Sequence, residues 1–191
     1  GVPLVTQTHG RQLLSILIYH RILPSPDGMR PHEPTAQAFN WQMELLSKYF
    51  NPLPLASALE KMDRSELPER AVCVTFDDGY ADNEEVALPI LQQWNVPATV
   101  FVASVFLNGG RLWNDTIIEA IRRLPGISLD LRAFGLDQFS IATPEEKLSA
   151  VGEILAGVKH LPPKERDRVV VFMESMVDNL PTDLMLTSNQ L

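Results

Sequence analysis

Two carboxylates stand side by side at Asp77 and Asp78, directly after the apolar run Val72-Cys73-Val74-Thr75-Phe76 and directly before Gly79. Adjacent acids repel, and burying either one uncompensated costs roughly several kcal/mol. A divalent metal ion answers both problems. With Asp78 as a metal ligand, Asp77 stays available to take a proton from a metal-bound water. Gly79 then permits a backbone turn that a residue with a Cβ would resist. Asp-Asp-Gly taken alone is also ordinary turn chemistry, so its flanking elements decide how it is read. His20 closes another apolar run, Leu13 to Tyr19. Its imidazole suits proton transfer near neutral pH, and a structural hydrogen bond at a strand end is the alternative.

Those flanking elements point to an α/β fold. The run before Asp77 lacks polar alternation, which suits a parallel strand covered on both faces. Such sheets and barrels carry their ligand sites at the C-terminal ends of the strands. Leu13 to Tyr19 reads as a first buried strand, with His20 at its C-terminal end. Prolines at 24, 26, 31 and 34, with Asp27 and Gly28, make the next segment a loop in which His32 is solvated. Thr35 caps a helix with Phe39, Met43, Leu46 and Phe50 on its apolar face. Leu53 to Leu55 reads as a short strand and Ser57 to Met62 as a short helix. After the motif, Asp82 and Glu85 have capping-box spacing, and Val86, Leu88, Ile90 and Leu91 give a helix that ends at Trp94-Asn95. Strand, helix and strand from Val72 to Val102 form a βαβ unit.

Composition narrows the partners. A chain of 191 residues with 45% hydrophobic content supports one domain or one large piece of one. Sixteen basic against 24 acidic side chains give −8, which argues against nucleic acid and anionic membrane surfaces as partners. No apolar run approaches the roughly 20 residues of a membrane-spanning helix. Cys73 is the single cysteine, so disulfides and cysteine-rich zinc sites are excluded.

Thr75-Phe76-Asp77-Asp78-Gly79-Tyr80 resembles the first signature motif of the polysaccharide deacetylases, carbohydrate esterase family 4. Ile18-Tyr19-His20-Arg21 resembles the Tyr-His strand end of the permuted bacterial members, and Val96 to Val102 the strand that follows the motif helix. The resemblance covers about the first 115 residues. It implies an irregular (β/α) barrel, here incomplete, with an added helical pair. It also implies a metal-dependent hydrolase that removes N-acetyl groups from a polysaccharide. Asp78 would ligate the metal, zinc or similar, Asp77 would activate water, and His20 would protonate the departing amine. The family completes its metal site with two histidines from a later His-x-x-x-His motif. His9, His20, His32 and His160 are not spaced to replace that pair. One aspartate does not make a three-ligand catalytic zinc site, so the expectation is weak metal binding and little turnover from this chain alone. The bacterial cytoplasm and the cell envelope both remain open as its compartment.

The remainder follows the resemblance only loosely. Asn114 or Asp115 can cap a helix carrying Ile117, Ile118, Ile121 and Leu124, with Trp113 at its entrance. There Trp113 is either packing or, by the family resemblance, an aromatic lining of the sugar cleft. A strand is expected near Ser128 to Leu131. Thr143, Pro144 and Glu146 start a helix that ends near His160, and Lys164 to Asn179 makes another. Residues 126–180 thus read as a helical insertion. Thr187 has the look of an N-cap without its helix, so the expectation is the N-terminal portion of a longer catalytic domain. Two other classes fit the residues: a Mg²⁺-dependent phosphoryl-transfer enzyme built on the acidic pair, and a noncatalytic saccharide-binding module.

Overall fold

In this computed structural model, which describes residues 13–191, the strand β3 (Ala71–Phe76) lies at the centre of a parallel sheet with all six residues buried. Around it run β1 (Leu14–Tyr19), α1 (Ala36–Tyr49), β2 (Asn51–Pro52), α2 (Leu55–Asp63), α3 (Leu88–Trp94) and β4 (Ala98–Val100). Then follow α4 (Trp113–Arg123), β5 (Ser128–Asp130), β6 (Gln138–Ser140), α5 (Pro144–Lys159) and α6 (Pro163–Ser175). His9 lies outside the described residues.

The chain divides into two compact units. In the first, β1 pairs with β3 along its whole length, from Leu14 opposite Ala71 to Tyr19 opposite Phe76. The other edge of β3 is shared, by β2 at Ala71–Val72 and by β4 from Val74 to Phe76. All three pairings are parallel, and the sheet is open rather than closed into a barrel.

Pleating sends alternate β3 residues to opposite faces, and the sequence satisfies both. Val72, Val74 and Phe76 pack with Phe39, Met43 and Leu46 of α1 and with Leu91 of α3. Ala71 and Cys73 pack with Ala58 of α2 and with Leu67. Burial pushes the Cys73 thiol up, away from the reactive thiolate, so its part is packing.

β1 departs from the sequence expectation of a buried strand. Among the described residues it pairs only with β3, and Ile16 and Ile18 are 41% and 63% exposed. Only Leu17 and Tyr19 turn toward the helix-side core. On the opposite face Leu14 packs beside Ala71 and Cys73, while Ile16 and Ile18 are left uncovered.

The second unit comprises Asp27–Pro31 and Gly109–Asp183. It has its own core: Ile117 and Ile121 of α4, Leu129 and Phe139 of the antiparallel β5–β6 hairpin, Ile154 and Val158 of α5, and Met173 of α6. α5 opens with the expected capping box, in which the Thr143 hydroxyl accepts from the Glu146 amide and Glu146 accepts from the Thr143 amide. α4 differs from expectation: its N-cap position is Leu112, and Asp115 is fully buried in an ion pair with Arg30 at 2.8 Å. A charge-assisted bond to guanidinium replaces the weaker cap. Trp113 is half-buried against this core, with the Arg166 guanidinium 5.5 Å from its ring centre, an ordinary cation–π packing contact.

Candidate active site

The parallel ladder between β1 and β3 ends on one hydrogen bond, from the Asp77 amide to the Tyr19 carbonyl at 2.9 Å. His20 and Asp77 are therefore the next residues on neighbouring strands, at the C-terminal edge where parallel sheets expose their ligand sites. Asp77 and Asp78 are half-buried and His20 is exposed.

A tight turn follows. Asp78 and Gly79 both take positive φ, 72° and 78°. Gly79 does so without penalty, and aspartate is among the few residues with side chains that tolerate this region. The turn is held by the Gly79 amide on the Asp77 carbonyl (3.0 Å) and by the Ala103 amide on the Asp78 carbonyl (3.0 Å). A Cβ at Gly79 would meet Val102 Cγ1 at 3.0 Å. From the far end of the chain, the Leu186 amide donates to the Gly79 carbonyl and the Ala81 amide to the Leu184 carbonyl.

Beneath the turn, Tyr19 stacks on Phe76 at 5.5 Å and meets Phe39 edge-on at 5.1 Å. Its hydroxyl donates to Gln42 Oε1 at 2.8 Å, and burial pushes the phenol up to about 12. Tyr19 is thus a neutral prop under the strand ends.

A second set of polar side chains binds the backbone just past β1. Arg21 Nε donates to Asp82 Oδ2 at 2.8 Å, and the Ile22 amide donates to Asp82 Oδ1 at 3.1 Å. Asn83 Nδ2 donates to the His20 carbonyl at 2.9 Å and to Asp82 Oδ1 at 3.3 Å. The Arg21 guanidinium also lies 4.7 Å from the Tyr80 ring centre. Asp82 therefore makes no side-chain cap, contrary to the capping-box expectation, and the chain winds as a π-helical turn over Asn83–Ala87 before α3 begins. Asn83 escaped the sequence reading, while Asp82 was read as a helix cap and Arg21 only as part of the Tyr-His segment. Asp82 and Asn83 sit in a polar run before Glu84 and Glu85, which gives no local sign of their partners on β1.

Neither His32 nor His160 joins this edge. His32 is exposed in its loop, and His160 is the C-cap residue of α5, where a cation complements the helix dipole. Among the described residues no group of three or more His, Cys, Asp or Glu side chains could hold a metal ion. Asp78 and its neighbours thus do not fit a complete zinc site, which needs three protein ligands. A cavity of about 740 Å³ in the first unit is lined by Phe76, Asn83, Leu88, Leu91, Val102 and Leu186, and neither motif carboxylate is among its lining residues.

Residues 64–128 match a family model described as polysaccharide deacetylase. Over 141 residues the chain is 25% identical to the Bacillus subtilis protein named "Putative polysaccharide deacetylase YxkH", an alignment covering 73% of this chain and 49% of that protein. The chain thus spans about half the length of the curated relative it matches. Among solved structures, IcaB from Ammonifex degensii is 30% identical over 52% of this chain and 41% of its own, with a TM-score of 0.43. Streptococcus pyogenes deacetylase PplD, solved in complex with acetate, is 26% identical over 47% and 42%, with a TM-score of 0.42.

Proposed function

We propose, on the likeness of residues 64–128 to the polysaccharide deacetylase model and of the chain to its curated relative, that the β1–β3 strand ends carry acid–base residues of an enzyme that removes N-acetyl groups from a polysaccharide. The observation that carries this reading is the ladder-ending bond from the Asp77 amide to the Tyr19 carbonyl, which sets His20 beside the acidic turn. Asp77 takes a proton from the attacking water as its oxygen bonds to the acetamide carbonyl carbon. As the tetrahedral carbon collapses, the carbon–nitrogen bond breaks and His20 gives a proton to the departing nitrogen. Acetate and a free amino sugar leave.

Asp78 would give one carboxylate to a divalent cation, zinc or a similar metal, which would supply Lewis-acid polarisation when bound. The described residues offer no further ligands for it, so on this reading they alone would bind the metal weakly and turn over little.

The test uses a longer polypeptide that contains this chain, with chitooligosaccharide or a poly-N-acetylglucosamine analogue as substrate and released acetate as the readout. Asp77→Asn is expected to lower the rate by about 10²–10⁴-fold with folding intact. Full activity in that variant, or phosphate release from an aryl phosphate in place of acetate, overturns the assignment.

A further inference from the structure

Past the last ladder bond of β1, the His20 carbonyl is bound by a side chain rather than by a strand. Asn83 Nδ2 donates to it at 2.9 Å and to Asp82 Oδ1 at 3.3 Å. Both neighbours are acceptors, so the amide nitrogen must face them, and the orientation of the Asn83 amide follows without ambiguity. Its oxygen then ends buried with no hydrogen-bond partner among the described residues. A side chain serving only its own stability would satisfy both ends, since an orphaned buried acceptor is a net cost. Asn83 itself is 5% exposed and opens the π-helical turn, a local widening that recurs at functional sites.

Asp82 works beside it, holding the Ile22 amide and the Arg21 side chain. Residues 82 and 83 thus grip three consecutive residues of the β1 exit, while Asp77, five positions before Asp82, closes the ladder on Tyr19.

We propose that Asn83 is a positioning residue: by holding the His20 carbonyl it fixes the backbone from which the His20 imidazole projects beside the Asp77–Asp78 turn. The proposal rests on the reading of His20 as the proton donor. It places Asn83 outside the reacting atoms, acting through another residue. Its amide donor, rather than its volume, is what the site uses.

Asn83→Asp keeps size and shape but exchanges the donor for an acceptor. In the full chain labelled with ¹³C,¹⁵N-histidine, the His20 side-chain torsion is read from its couplings, with His32 and His160 as internal references. Amide exchange at Asp77 and Ile22 is followed in parallel. The expected result is rotamer averaging at His20 and exchange at least about tenfold faster at both amides, with His32 and His160 unmoved. A folded Asn83→Asp chain with the parent torsion and parent exchange overturns the proposal. Should that variant fail to fold, Asn83→Leu, which keeps the bulk and has no donor, decides: a folded leucine variant with averaging at His20 supports the proposal, and one with the parent torsion and exchange overturns it. The underlying reading fails separately, if His20→Gln leaves acetate release in the longer polypeptide unchanged. The torsional effect of Asn83 would stand in that case, and only its catalytic meaning would fall.

Discussion

Two groups of carboxylates in this molecule are treated in opposite ways. On α4, Asp115 and Glu119 are buried and face Arg30 at 2.8 and 3.3 Å, Glu119 also meets Arg122 and Arg123, and Asp27 receives both guanidinium nitrogens of Arg122. Every acid there is matched by arginine from the same unit. At the end of β3, Asp77 is half-buried and forms no ion pair among the described residues. The α4 cluster uses charge to hold a loop onto a helix. The β3 end leaves an acid at a strand mouth with a histidine next on the neighbouring strand, the placement on which the proposed acid–base role rests.

Substitutions separate the two groups, and the largest contrast is in activity against stability. Asp77→Asn should remove most acetate release from the longer polypeptide, yet shift its unfolding midpoint by less than about 1 kcal/mol in equivalent free energy, because the lost charge anchors nothing. Arg30→Met should do the reverse. Removing the guanidinium from buried Asp115 costs about 3 kcal/mol in the second unit, read by urea unfolding followed at the Trp113 fluorescence. Equal stability losses from the two variants would erase the distinction.

Acid sharpens it further. Burial alone would raise the Asp27 carboxyl, but hydrogen bonds from Arg122 and the Met29 amide, with the charges of Arg122 and Arg30, hold it below the ordinary range. Glu119 is likewise pushed up by burial and brought lower overall by Arg123, Arg122 and Arg30. Folded values below unfolded ones mean that both groups stabilise the fold fully above the usual carboxylate range, about pH 4, and lose that contribution as pH falls through the folded values. Protection of the α4 amides, measured relative to their intrinsic exchange rates, should therefore fall on acidification below about pH 4, and unchanged protection would show that the arginines hold nothing. The smallest effect is backbone strain at the turn: Gly79→Ala should destabilise by about 1 to 2 kcal/mol, since φ is 78° and the new Cβ meets Val102.

The same contrast explains what was legible in the sequence. β3 declared itself because both of its faces are covered, and an unbroken apolar run has few other uses. β1 has a similar run, and nothing in the run reveals that Ile16 and Ile18 face outward. β6 passed unnoticed because only Phe139 of its three residues is buried, too short a signal for alternation to register. Thr35 and Thr143 were readable caps because their partners lie three residues away. Asp82 and Asp115 carried the same local signature, but their partners are 61 and 85 residues distant, and charge pairing over that separation outcompetes a cap without leaving a trace in the spacing. The acidic pair and His20 were each visible alone. Their adjacency came from a strand register that no single segment encodes.

The most direct measurement is a zinc titration of the ¹³C-aspartate- and glutamate-labelled chain, followed at the side-chain carboxyl signals. The signal of Asp78 should move first, with Asp27, Asp115 and Glu119 unmoved behind their arginines. Movement in the α4 acids while Asp78 stays fixed would contradict the assignment of the β3 end as the reactive edge.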